Sequence, residues 1–223
     1  MNEFSNLFHP NNKFTNFVQK LMYIGYLNLL WLITSLPILT IGASTTALYY
    51  TVLKLCRNEE GYIAKDYFHS FKQNFKQATK VWIIMLSFLF MLTANFFYFS
   101  SQNSSLSRIF SFLFLGLFFI FAIVSSYIFP LLAQFNMTNK NLLWTAIILS
   151  LKNLHWSFCM TILFWCGFPL MVMRFYPLTV LGIPLIAFLQ SYILNRIFKR
   201  SFQIQDFYEG KEIQLTLLRQ NSQ

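Results

Sequence analysis

Long uncharged apolar runs, set apart by short polar or basic segments, dominate this chain. Leu21–Leu53, Val81–Ser107, Ile109–Asn139, Asn153–Met173 and Phe175–Asn195 contain no Asp, Glu, Lys or Arg. Each is long enough to cross ~30 Å of hydrocarbon as a helix of about 20 residues. Their apolar character is continuous rather than alternating, which argues against a β-barrel. The pattern predicts an all-α, polytopic helical membrane protein in a single transmembrane domain, residues 1–223. About five transmembrane helices are expected, at roughly 21–41, 81–99, 109–132, 154–173 and 178–195. They leave a cytoplasmic hairpin at about 43–80 and a cytoplasmic tail at 196–223.

Local signals refine this outline. Residues 1–20 mix aromatic and polar positions and read as a short interfacial leader broken at Pro10. Pro37 and Gly42 interrupt the first apolar run and form a candidate broken-helix site. The piece after them, Ala43–Leu55, is too short to span alone. It reads as a kinked continuation of the first span, with a re-entrant half-helix as the alternative. Arg57-Asn-Glu-Glu-Gly61 is a helix stop, with Gly61 suited to a left-handed cap. From Ile63 the spacing turns helical. Ile63, Tyr67, Phe68, Phe71, Phe75, Ala78 and Trp82 form one stripe, and Lys65, His69, Lys72, Lys76 and Lys80 the other face. An amphipathic cytoplasmic helix of this kind suits the inner leaflet surface, or the base of the bundle. Lys65, Lys72, Lys76 and Lys80, with Phe71 and Phe75, are the candidate interaction surface toward anionic lipid headgroups or a protein partner. Phe71-Lys-Gln-Asn-Phe-Lys before the second span faintly echoes Leu151-Lys-Asn-Leu-His-Trp before the fourth, which hints at two related halves.

Composition agrees with the pattern. Hydrophobic residues make up 56% and charged residues 11%, against about 25% charged in soluble domains. The net charge of +10 is read by position and not as a nucleic-acid footprint. Lys54, Arg57, Lys65, Lys72, Lys76, Lys80, Lys140, Lys152, Arg196, Lys199, Arg200, Lys211 and Arg219 fall on one side of a five-span topology. Only Lys13, Lys20, Arg108 and Arg174 fall on the other. The positive-inside rule then places the N-terminus outside and the C-terminus in the cytoplasm. The residues after Pro37 make a poor cleavage site, so the first run reads as an uncleaved span.

Chemistry is sparse. No span carries an ionisable acid or base in its interior, which counts against a proton-coupled pathway. Asn28, Thr93, Asn95, Ser125, Ser126, Thr161 and Gln190 are the polar residues inside the spans, expected to bond between helices. Cys56, Cys159 and Cys166 are scattered and read as buried thiols. His9, His69 and His155 are far apart. Glu59, Glu60 and Asp66 lack the orienting partner that a catalytic pair requires. The expectation is a non-enzymatic protein with no metal, no cofactor and no nucleic-acid partner.

Several segments together resemble the YesL family of bacterial integral membrane proteins, a domain of unknown function. They are Leu36-Pro-Ile-Leu-Thr-Ile-Gly42 with Thr46-Ala-Leu-Tyr49, then Asn58-Glu-Glu-Gly61, then Asp66-Tyr-Phe-His-Ser-Phe-Lys-Gln-Asn-Phe-Lys-Gln-Ala78. Phe129-Pro-Leu-Leu-Ala-Gln-Phe135 and Phe188-Leu-Gln-Ser-Tyr192 extend the likeness along the chain. Gln134 is a departure, where many relatives are expected to carry a basic residue. The resemblance implies a bacterial cytoplasmic membrane and an accessory role beside carbohydrate-uptake ABC transporters, with a sugar permease as a partner. The alternative is an autonomous transporter of a small solute or lipid that uses Pro37 and Gly42. The resemblance implies no catalytic or binding residues.

Overall fold

The computed structural model describes residues 13–59, 61–102, 104–165 and 182–201, and among them every regular element is helical. The helices are α1 (Lys13–Ser35), a 3-10 turn (Ile38–Thr40), α2 (Ile41–Cys56), α3 (Ile63–Ser100), α4 (Ser105–Gln134), α5 (Asn139–Lys152), α6 (Leu154–Trp165) and α7 (residues 182–201).

The chain reverses at the 3-10 turn. Leu36 precedes Pro37 and is steered away from helical backbone, so α1 stops at Ser35. Pro37 is extended at φ −74°, ψ 119°. The Thr40 hydroxyl lies 2.6 Å from the Thr34 carbonyl and 2.7 Å from the Pro37 carbonyl, satisfying groups that the break leaves open. The α1–α2 hairpin then closes along its length. Trp31 Nε1 donates to Thr45 Oγ1 at 3.3 Å, and Lys20 Nζ donates to Asn58 Oδ1 at 2.8 Å. This corrects the kinked-continuation reading, in which residue 58 would lie far from residue 20. Lys20 thus lies at the same end of the structure as the loop at Asn58, which the five-span topology put on the opposite side.

The stop after α2 is a Schellman arrangement. Glu59 N–H bonds the Lys54 carbonyl at 3.1 Å, and Asn58 N–H bonds the Leu55 carbonyl at 3.3 Å. Asn58 takes the left-handed conformation at φ 56°. Gly61, expected there, does not have positive φ. Asparagine tolerates this backbone, and its side chain receives Lys20.

Helix α3 is unbroken for 38 residues, about 57 Å at 1.5 Å per residue. The basic segment and the second expected span are therefore one rod, and no bend separates Lys80 from Val81. The basic segment is therefore the first half of a longer helix and not a helix of its own. The buried stripe is also rotated from the expected one, running through Tyr67, Ser70, Asn74, Ala78, Val81 and Met85. Phe68 and Phe75 are exposed instead. Small Ser70 and Ala78 let α2 approach. Asn74 turns inward without an orphaned amide, because its Nδ2 donates to the Ser70 carbonyl at 3.1 Å.

α2 runs antiparallel to the first half of α3, fixed by Lys54–Asp66 at one end and Gly42 against Ala78 and Trp82 at the other. Beyond Trp82 the neighbour of α3 is α4. Phe88–Phe121, Phe99–Phe110 and Phe99–Phe114 pair with ring centroids 5.5, 5.1 and 5.7 Å apart. The core lies away from that far end, around Leu48, Val52, Tyr67, Tyr127, Leu131 and Leu142. Toward the far end large apolar side chains stay bare, with Phe90 75% and Phe112 72% exposed. Such a surface requires hydrocarbon or protein to cover it.

α3 and α4 are long and apolar enough to cross a membrane. α5 and α6 pass the same test only as a pair, bent by 105°. The described residues thus supply two spans, or three if that pair counts as one, where five were expected. Residues 166–181, which join the fourth and fifth expected spans, lie outside the described residues, as do the leader up to residue 12 and most of the tail. The suspected repeat does not extend to local structure. Phe71–Lys76 sits within continuous helix, whereas Leu151–Trp156 contains the α5–α6 corner at Asn153.

Gly42 is where the hairpin tip meets α3. A Cβ there would lie 2.6 Å from Trp82 Cβ and 2.7 Å from the Ala78 carbonyl oxygen. Gly42→Ala is expected to destabilise the protein by about 1–3 kcal/mol through overpacking. Gly116→Ala, where the space is open, is expected to be neutral or to stabilise by up to about 1 kcal/mol through helix propensity. Thermal unfolding of both variants in detergent micelles checks the contrast.

Candidate functional site

Two regions carry the features singled out in the sequence. The first is the N-terminal half of α3. Lys65, Lys72, Lys76 and Lys80 are all exposed, and no carboxylate pairs with any of them among the described residues. Phe71 and Phe75 sit beside them, ring centroids 5.4 Å apart, with Phe71 half-buried against the core. Tyr62 caps the helix with extended backbone, and Asp66 in the first turn complements the helix dipole. The lysines follow and form a positive row along the outer side. Lys80 is the last charge on the helix, one residue before its uncharged apolar half.

The carboxylates near this region are engaged locally. Lys54 Nζ lies 2.9 Å from Asp66 Oδ2, and this bond holds the Lys54 pKa above its ordinary value. A raised lysine pKa stabilises the fold throughout the neutral range and fades only as pH climbs above about 10.5, the unperturbed value. The side chains are 26% and 22% exposed, which limits the pair to roughly 1 kcal/mol or less. Arg57 Nε lies 3.8 Å from Glu59. Glu60 falls outside the described residues. Arg57 also donates to Gln134 Oε1 at 2.6 Å, tying the end of α2 to the end of α4. A neutral acceptor at Gln134 suits Arg57, where a second cation would repel it.

The cysteines differ from expectation. Cys56 is half-buried, and burial pushes its thiol up to about 11, so it stays protonated at neutral pH. Cys159 is exposed rather than buried. Cys166 lies outside the described residues. Among the described residues no three His, Cys, Asp or Glu side chains gather as a metal site would require.

The second region is a partly open cavity of about 280 Å³ lined by α1, α2, α3, α4, α6 and α7. Sequence reading missed it, because its walls come from residues far apart along the chain. Trp31, Ile41, Tyr49, Met85, Leu89, Phe121, Phe129, Pro130, Ile186 and Gln190 are among its lining residues, and no Asp, Glu, Lys, Arg or His joins them. Gln190, fully buried, bridges three helices: the Tyr49 hydroxyl donates to its Oε1, and its Nε2 donates to the Met160 carbonyl at 2.8 Å. Ser125 and Ser126 both donate to the Ala122 carbonyl, at 2.8 and 3.1 Å. Pro130 has no N–H to offer the Ser126 carbonyl one turn earlier. The tip of the α1–α2 hairpin borders this space. Pro37 is exposed and Gly42 is buried against α3, so neither lines the cavity, whereas Ile41 and Thr45 do.

Residues 24–96 match a family model described as "Protein of unknown function, DUF624". No curated protein and no solved structure matches the chain. The matched segment runs from α1 almost to the end of α3. It therefore contains the reversal, the exposed lysine row and the α1, α2 and α3 walls of the cavity. Together with α3 and α4, the match fits a membrane protein with a domain of unknown function.

Gln190→Leu leaves the buried Tyr49 hydroxyl without its acceptor and the Met160 carbonyl without its donor. A loss of about 1–3 kcal/mol is expected. Combining it with Tyr49→Phe should recover part of that loss, because two apolar groups facing each other leave fewer polar atoms unpaired. A double-mutant cycle by thermal unfolding in detergent measures the coupling.

Proposed function

We propose that this chain is a non-enzymatic protein of the bacterial cytoplasmic membrane, of the YesL type, that serves as an accessory component of carbohydrate uptake. It works by presenting the basic half of α3 to a sugar ABC permease or a related membrane protein. The observation that carries this reading is the row of exposed lysines, without carboxylate partners among the described residues, on a helix continuous with a segment long and apolar enough to cross a membrane. Among the described residues no carboxylate lies within salt-bridge distance of these lysines. A row of cations just below the apolar half suits acidic surfaces, whether a partner's or the headgroups of the leaflet, each lysine contributing about 1 kcal/mol at an anionic membrane. The lysine-rich end is read as cytoplasmic by the positive-inside rule. Since Lys20 lies beside Asn58, the start of α1 is assigned to the cytoplasmic side as well.

The alternative, transport by this chain alone through a broken-helix site at Pro37 and Gly42, is less well supported. The Thr34, Pro37 and Ile38 carbonyls at that break already accept bonds from Thr40 and Trp82. A solute would find them engaged.

Photo-crosslinking from positions 72 and 76 in native membranes tests the accessory reading. Adducts with a permease or its regulator are expected, and Lys72→Glu/Lys76→Glu/Lys80→Glu should abolish them without changing membrane insertion. Adducts with lipid alone, or partner adducts that survive the charge reversal, would refute it.

A further inference from the structure

We propose that the cavity among α1, α2, α3, α4, α6 and α7 holds one hydrocarbon chain of a bilayer lipid. This is independent of the role assigned to the lysine row.

The argument begins with what the walls offer. Their polar side chains are turned into the protein: Trp31 donates to Thr45 at 3.3 Å, Trp82 to Ile38 at 2.9 Å, and both serines to Ala122. Tyr49 and Gln190 satisfy each other. A sugar, an ion or a charged headgroup entering this space would give up its hydration and find few partners, an unfavourable exchange. An apolar guest gives up nothing. The space is large enough to matter. At about 280 Å³ it exceeds the ~150 Å³ engineered apolar cavity that stays dry and takes up benzene. Left empty, its lining forgoes dispersion contacts on one side.

Location selects the guest. The α3 and α4 walls, Met85 to Leu89 and Phe121 to Pro130, belong to the two membrane-crossing helices. Their other faces are bare, as Ile84, Phe88 and Ile120 show. The medium against those faces is acyl chain, present there at far higher concentration than any other apolar molecule.

The first measurement is lipid retention. The protein is purified in mild detergent, washed exhaustively, and its residual lipid quantified by mass spectrometry. The wild type is expected to keep about one lipid per chain. Ala187→Phe and Ser125→Leu, which fill the space from opposite walls, should retain about tenfold less lipid while unfolding at an unchanged or higher temperature. Because a filled variant can misfold, a second measurement uses the native cavity. With Trp144, Trp156 and Trp165 changed to Phe, fluorescence of the two lining tryptophans, Trp31 and Trp82, should be quenched in bilayers of lipids brominated along the chain. Equal lipid retention by wild type and both filled variants would mean boundary lipid only, and would overturn the proposal. So would unquenched Trp31 and Trp82 in bilayers that quench a control variant keeping the exposed Trp144 as its one tryptophan, since the protein itself would then close the space.

Discussion

The contact between Gly42 and the Ala78–Trp82 turn of α3 is the constraint on which the rest depends. It allows two helix backbones to approach where no side chain fits between them, and so fixes the hairpin tip against the long helix. Around it the orphaned groups of the reversal find partners. Thr34 shares a hydrogen bond with Tyr67 at 2.6 Å, and Trp82 donates to the Ile38 carbonyl. Those bonds connect the tip to two points on α3, four turns apart. Once the tip is fixed, α1 must run back beside α2, the Schellman stop must bring the chain round to Asp66, and α3 must rise along α2. The cavity follows too, because a hairpin that stops at Trp82 leaves α3 and α4 to continue past it.

Much of the architecture was legible because it rests on local pattern. Runs without charge announced helices long enough to cross a membrane, and α3 and α4 are such helices. Lys65, Lys72, Lys76 and Lys80 were expected opposite the apolar stripe, and all four are exposed. What was not legible depends on long-range contacts. A Pro followed by Gly five residues on has the same appearance whether the chain bends slightly or turns back. Only Tyr67 and Trp82, 25 to 45 residues downstream, decide between the two. The stripe on α3 was misplaced for a related reason. Hydrophobicity favours Phe68 and Phe75 for the interior, but close packing against α2 selects the small residues and admits Asn74. Gly61 looked the better left-handed cap by propensity, yet the length of the helix put Asn58 at that position.

The candidate sites divide along the same line. The lysine row is a periodic feature of one helix, so spacing alone exposed it. The cavity is a feature of six helices, and no single stretch announces it. Gln190 was noted as a polar residue inside a span and expected to bond between helices, which it does. Its position on the wall of an apolar space had no signature in the sequence.

Unbroken helix has a mechanical meaning as well. α3 is a lever resting on the Gly42 contact, with the lysine row on one arm and the Phe88–Phe99 stretch on the other. Because the helix is unbroken, the two arms share one backbone through the Gly42 contact. A tilt imposed at Lys72 is carried along that backbone toward Met85 to Leu89, one wall of the cavity.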